Sequence, residues 1–247
     1  MSNGTWRDSL IFSSSYSGLK VQVTSATQVT VTASELMMKS TTGAYLATSV
    51  SVTGTITASG ANGLDTGSEA SNTWYYVWVI YNDSTIALLL STSSTAPTMP
   101  SGYTYKVRVG AIRNDGSSNL YRTIQYGNDA QYVNGTNPAS IIAIDSGITA
   151  DTSSPQAVLG IINFVPSTAS RIRGCIFASN SRSGCAPNSS YGAYSSTTNP
   201  PPVSIYANGA GISQNSCFDF ILESSSIYWF SNGSNNFISV LGWQDNL

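Results

Sequence analysis

Apolar and polar residues alternate with a period of two along most of this chain, and that pattern constrains its fold more than any other feature. Leu19, Val21 and Val23 fall on one side of a strand, with Lys20, Gln22 and Thr24 on the other, and Val29, Val31 and Ala33 repeat the arrangement. Val50, Val52, Gly54 and Ile56 then alternate with Ser51, Thr53, Thr55 and Thr57. Successive side chains of a strand point to opposite faces, so the pattern buries one face and leaves the other in water. The stretch Glu35-Leu36-Met37-Met38 hints at a helix but is about one turn long, and it is not read as one.

Trp74 to Tyr81 is the densest apolar block. The turn residues Asn82 to Thr85 follow, then a second apolar run from Ile86 to Leu90. Together they read as a hairpin. Its near-continuous hydrophobicity implies that both faces are covered, either by a core and a neighbouring subunit or wholly within one chain. A second hairpin is expected from Tyr105–Arg113, the turn Asn114-Asp115-Gly116 and the return run Leu120–Tyr126. Pro97 and Pro100 exclude a helix between the two hairpins.

Further strands are expected at 140–144, 156–164, 170–178, 203–207 and 218–222. A closing pair, 227–230 with 237–241, is expected to turn at Ser231 to Ser234. Residues 179–202, which end in Asn199 and three prolines, have the composition of an exposed loop. About ten strands with frequent turns predict an all-β fold: an antiparallel β-sandwich or jelly-roll-like domain preceded by a small N-terminal β segment. The turn-rich residues 59–73 place the boundary near residue 62, giving an N-terminal β attachment or stalk segment over 1–62 and a sandwich head domain over 63–247.

Only 9% of the 247 residues are charged, against about 25% in ordinary globular chains. Ser, Thr, Asn and Gly fill their place. With a net charge of −2, a nucleic-acid partner is not expected, because phosphate binding needs clustered Lys and Arg. The absence of histidine removes Ser-His-Asp and Cys-His nucleophiles and every His-metal site. No apolar run reaches about 18 residues, so membrane insertion is not expected. Met1 to Arg7 lacks the basic-then-apolar pattern of a signal segment. Cys175, Cys185 and Cys217 show no C-x-x-C spacing, so no zinc site is expected. A Cys175–Cys185 bridge would close a short loop, and three free thiols are the alternative in a chain made in a reducing cytoplasm.

The sequence holds no nucleotide P-loop, no calcium loop and no G-x-S-x-G between a strand and a helix. No cofactor, metal ligand or catalytic residue is assigned from it. A glycosidase needs two carboxyls across the sugar, and the acids close in sequence are Asp65 with Glu69, Asp145 with Asp151, and Asp219 with Glu223. The first two pairs sit among turn residues. The third pair, four apart on a strand, lies about 13 Å apart along it. An enzyme is therefore not expected. Lys106, Arg108, Arg113 and Arg122 form one loose basic group, and Arg171, Arg173 and Arg182 a second, both read as solvated faces. An aromatic face packs on the apolar side of a sugar ring while polar neighbours bind its hydroxyls. Tyr191, Tyr194 and Tyr206, in or beside the exposed 179–207 region, are the candidate ligand contacts. Trp74, Trp78, Trp229 and Trp243 stand in strand contexts and are expected in a core or an interface.

The segment from Gly60 to Asn119 carries Ala61-Asn62-Gly63-Leu64-Asp65-Thr66-Gly67, the aromatic block from Trp74, the run Ala96-Pro97-Thr98-Met99-Pro100-Ser101-Gly102 and Val109-Gly110-Ala111-Ile112-Arg113-Asn114-Asp115-Gly116. It resembles a module of tailed-bacteriophage virion proteins of the tail-fibre or receptor-binding type. Phe164-Val165-Pro166-Ser167-Thr168-Ala169, Arg171-Ile172-Arg173-Gly174 and the ending Gly242-Trp243-Gln244-Asp245-Asn246-Leu247 look like parts of the same module. The resemblance spans about residues 58–247. It implies a homotrimer on the tail or outer surface of a virion, made in the host cytoplasm. The N-terminal segment would dock on other virion proteins, and the head would contact a host cell-surface glycan. A capsid decoration or head-fibre protein is the alternative location, and a glycan depolymerase the alternative activity.

Overall fold

The computed structural model describes residues 15–149, 157–192, 194–209 and 211–247. Every regular element among them is a β-strand, and the strands pair antiparallel except for one short parallel contact, so the fold is all-β and sandwich-like as the alternation predicts. In the first lobe, β1 (Tyr16–Ser17), β2 (Lys20–Val23), β3 (Gln28–Lys39) and β4 (Ala44–Thr55) form one layer, with β3 and β4 as a long hairpin. At Lys39, β3 pairs with Lys106 and the sheet turns a corner into a second layer. That layer contains β8 (Tyr105–Arg113), β6 (Trp74–Tyr81), β7 (Ile86–Ser91) and β5 (Gly63–Leu64).

The period-two apolar set points between these layers. Val31, Leu36 and Met38 of β3 join Val77 and Val79 of β6 and Leu88 of β7 in a closed core. Residue 62, where the turn-rich composition sets a boundary, lies within this unit: Val50 and Ile56 share the core with Leu64 and Tyr75. Asn62 is itself bonded to β7, its backbone N–H donating to the Leu88 carbonyl at 2.7 Å and its Oδ1 accepting from the Leu88 N–H at 3.0 Å. At the corner, the stacked rings of Tyr45 and Tyr81 (centroids 4.0 Å apart) and the tilted ring of Tyr105 close the end of the core.

The chain covers the second face of β6–β8 with its own residues. Tyr76, Trp78, Ile80 and Leu89 are buried there, with Met99 and Tyr103 packed on them, and Trp78 Nε1 donates to the Ser93 carbonyl at 3.3 Å. Lys106 lies 5.7 Å over the Trp78 ring and Arg108 5.9 Å over the Tyr76 ring, so these two cations pack on aromatic faces instead of forming a solvated stripe.

The second lobe is a sandwich of its own. One layer holds β10 (Asp129–Tyr132), β18 (Phe237–Asp245), β13 (Ala169–Ser179) and β16 (Ser213–Ile221), with β11 (Ile142–Ser146) also on β18. The other is a four-stranded sheet in the order β12 (Ala157–Gly160), β17 (Ser226–Ser231), β14 (Arg182–Ala186), β15 (Val203–Tyr206). Ile172, Ile176, Phe218 and Trp243 from the first layer meet Ile227 and Trp229 from the second.

Several sequence expectations are corrected. β9 (Thr123–Tyr126) does not return along β8. After the turn only Asn114 bridges Leu120, because Leu120 is drawn into the first core and its N–H donates to Ala26 at 2.7 Å, sending β9 onto the edge of β2. The runs 227–230 and 237–241 are not a pair. Ser231 to Ser234 carries the chain across the core from one layer to the other. Residues 182–186, read as loop, form β14. The disulfide joins Cys175 to Cys217, which are directly opposed on β13 and β16, while Cys185 is buried and free in the opposite layer.

The lobes are joined by specific contacts. Trp74 meets Trp243 edge to face at 5.4 Å and donates through Nε1 to the Ile162 carbonyl at 2.8 Å. Tyr76 Oη and Ser167 Oγ lie 2.7 Å apart. Arg108 pairs with the fully buried Asp245 at 2.8 Å and also donates to the Asn246 carbonyl. The chain's last residues thus act as a clamp between the two cores, with Leu247 packed on the first.

Candidate functional site

Residues opposed across an antiparallel ladder share a face, so the pairing of the four-stranded sheet fixes its outward-facing side chains. Arg182 lies opposite Tyr206, and Gly184 lies between Ser204 and Phe230. Ala186 lies beside Tyr228, which in turn opposes Val158. The intervening residues Ser183, Cys185 and Trp229 point the other way and are buried. On this inner side Trp229 Nε1 donates to Ser183 Oγ at 2.7 Å, and burial pushes the Cys185 thiol well above its ordinary range, leaving it neutral.

The outer face therefore presents rings, hydroxyls and one cation. The Arg182 guanidinium lies 3.8 Å from the Tyr194 ring centroid and 4.0 Å from that of Tyr206. Tyr194 also leans on Phe230, with centroids 6.3 Å apart. Phe230 lies across Gly184, where a Cβ would collide with the ring, so glycine is what lets an aromatic side chain lie flat on β14. Tyr206 is 49% exposed and Val158 59%, while Phe230 and Ala186 between them are fully buried, so the face is open to water at its two edge strands and covered at its centre.

Side chains hold the flanking loop. Asn188 Nδ2 donates to Glu223 at 2.8 Å, and its Oδ1 accepts from the Ser190 N–H at 2.9 Å. Asn199 Nδ2 donates to the Ser190 carbonyl at 3.2 Å, while its own carbonyl accepts from the Gly192 N–H at 2.7 Å. The strand position of Arg182 is fixed in turn by Asn232 and Asn236. Asn232 Oδ1 accepts its N–H at 2.7 Å, and Asn236 Nδ2 donates to its carbonyl at 2.9 Å.

Of the three sequence candidates, Tyr194 and Tyr206 come together around Arg182. Tyr191 stays half-buried in the loop, with no ring contact to the pair among the described residues. Arg182 is the central residue that sequence reading missed as a contact. Its strand reads Arg-Ser-Gly-Cys-Ala, with no β-branched or large apolar residue to announce it. Nor does it group with Arg171 and Arg173, which lie on β13 and pair with Asp219 at 2.9 Å and Asp129 at 3.8 Å.

The described acids of the candidate pairs each have partners of their own. Asp65 accepts the Thr98 N–H at 2.9 Å, and Glu69 accepts from Asn114 at 3.3 Å. Asp219 is engaged by Arg171 and Glu223 by Asn188. Asp145 accepts the N–H of Ser146 at 2.8 Å, and Asp151 lies outside the described residues. Two hollows accompany these surfaces. One, of about 260 Å³, lies against Ile161, Val165, Leu222 and Glu223. The other, of about 390 Å³, lies between the lobes beside Ser94, Arg108, Thr168 and Asn246. No family model, no curated protein and no solved structure matches this chain.

Proposed function

We propose that this chain is a non-enzymatic structural protein of a tailed-phage virion, a trimeric fibre or spike component that helps the particle adhere to a host surface glycan. The outer face of the four-stranded sheet carries the adhesion reading: Tyr206 and Ser204 are exposed on its edge strand, with the half-buried rings of Tyr194 and Tyr228 on the same face. Rings of this kind pack on the apolar faces of sugars, and hydroxyls beside them bind sugar oxygens. The virion setting and the trimer rest on the sequence resemblance of residues 58–247. A nearly uncharged chain with rings exposed along a sheet edge is compatible with both.

Two measurements test the proposal. Light scattering of the purified chain should return three copies of 26.0 kDa; a monomer at micromolar concentration removes the trimer. Pull-down on purified host envelopes should retain the wild-type chain and lose most of it for Tyr206→Ala. Equal retention of the two removes the sheet face as the adhesive surface.

A further inference from the structure

We infer that Arg182, held between Tyr194 and Tyr206, is a binding site for the oxyanion of an acidic saccharide unit, a sugar carboxylate or a polyol phosphate. This rests on the adhesion reading of the same face and names the ligand chemistry it selects.

The inference starts from how the cation is held. No Tyr194–Tyr206 ring contact accompanies the two cation–ring contacts, so the rings flank the guanidinium from two sides instead of crowding one. A guanidinium is a weakly hydrated plane that stacks on rings while its N–H donors radiate in the plane. Stacking thus uses its faces and leaves its edge. Among the described residues, Arg108, Arg171 and Arg173 each have an aspartate partner, whereas the Arg182 guanidinium has neither a carboxylate nor a hydrogen-bond acceptor.

The surrounding face offers none either. Its outward strand positions carry Ser204, Gly184, Phe230, Ala186, Tyr228 and Val158, with no Asp or Glu among them. The result is an unpartnered planar fork, fixed in place by two rings and an anchored strand. The ordering of a long side chain, which usually weakens binding, is already complete before a ligand arrives. A fork of parallel N–H donors matches a carboxylate or a phosphate in bidentate geometry, and adjacent rings would take the apolar side of the same sugar.

The experiment uses the full chain and three immobilised probes: a glucuronate-containing oligosaccharide, its carboxyl-reduced neutral twin and a glycerol-phosphate polymer. The wild-type chain should bind at least one acidic probe tighter than the neutral twin by about tenfold or more, the scale of one charge-assisted contact. The stronger of the two acidic arms names the source of the oxyanion. Arg182→Gln should erase the preference while the chain still melts cooperatively, with only the small drop in midpoint that losing two ring stacks brings. Arg182→Lys, which keeps the charge and loses the fork, should retain only part of it. Equal binding to the acidic and neutral twins, or a preference that survives Arg182→Gln, overturns the inference while adhesion to neutral glycan stands. Binding to none of the three probes overturns it as well, and if host envelopes also fail to retain the chain, the adhesion reading falls with it.

Discussion

The two lobes dispose of their aromatic residues in opposite ways. In the first, β6 is apolar on both faces and both are covered: Val77 and Val79 meet the inner core, while Tyr76 and Trp78 lie under the chain that carries Met99 and Tyr103. In the second, β17 buries Ile227 and Trp229 on one side; on the other, Phe230 is covered with Tyr194 leaning on it, Tyr228 is half-buried, and Tyr206 on the edge strand stays exposed beside Arg182. A sheet covered twice has no side chains left to meet another molecule. A sheet whose second face is covered only at its centre keeps side chains free along its edges, held by the core beneath. The densest aromatic block of this chain is therefore framework, and the proposed recognition rests on the thinner scatter of tyrosines around 191–206.

The largest test of this contrast is the wall under the open sheet. Trp229 is fully buried between the layers and hydrogen-bonded to Ser183. Trp229→Ala should cost about 3–5 kcal/mol in denaturant melts, the range for emptying a large aromatic site in a core. A loss below about 1 kcal/mol, the size of an ordinary surface change, would mean that the four-stranded sheet is not a closed core layer.

Next comes the clamp between the lobes. Asp245 is fully buried and Arg108 is 12% exposed, so Asp245→Ala strands a mostly desolvated guanidinium at a cost of about 3 kcal/mol. If the clamp couples the lobes, the loss appears as one earlier transition. If the lobes are independent, the melt splits into two steps. The disulfide tests the second lobe alone. Replacing Cys175 and Cys217 together by serine opens a loop of 42 residues and should lower stability by about 4 kcal/mol. In the native protein Cys185 should resist maleimide at pH 8 even after reduction, because it is buried and its thiol stays protonated. Above its ordinary value of 9.0 the unfolded chain releases that proton and the folded chain does not, so this residue makes stability fall as pH rises past 9.

Much of the fold was legible because burial imposes a period. The alternation at 19–33 and 50–57 became β2, β3 and β4, and the apolar block at 74–90 became a hairpin whose turn is capped by Asn82 Oδ1, accepting from the Thr85 N–H at 2.7 Å. What stayed hidden depends on partners distant in sequence. Asp115-Gly116 makes its local turn, yet where β9 goes is decided by Leu120 entering a core built from β2 to β8. Cys175 meets Cys217 through the register of β13 on β16, which no spacing encodes. The site was half legible for the same reason. Tyr194 and Tyr206 were visible as rings in a polar stretch, but Arg182 joins them only because a strand of small residues pairs with β15.

The smallest effect on stability is expected at the open face itself, and it sharpens the contrast most. Tyr206 is 49% exposed and stands on an outer strand, with the Arg182 stack as its ring contact among the described residues. Truncation to alanine removes that stack, worth about 0.5–1 kcal/mol at a solvent-facing site, and opens no cavity. Tyr206→Ala should therefore melt within about 1 kcal/mol of the wild type. The same change at the buried Tyr76 should cost about 3 kcal/mol or more, because it empties a packed site and breaks the contact to Ser167. Paired melts of the two variants measure the difference between an aromatic ring that builds the sandwich and one that the sandwich displays. If they fall by the same amount, the outer sheet face is structural in the way the covered face of β6 is, and the division between framework and recognition surface is lost.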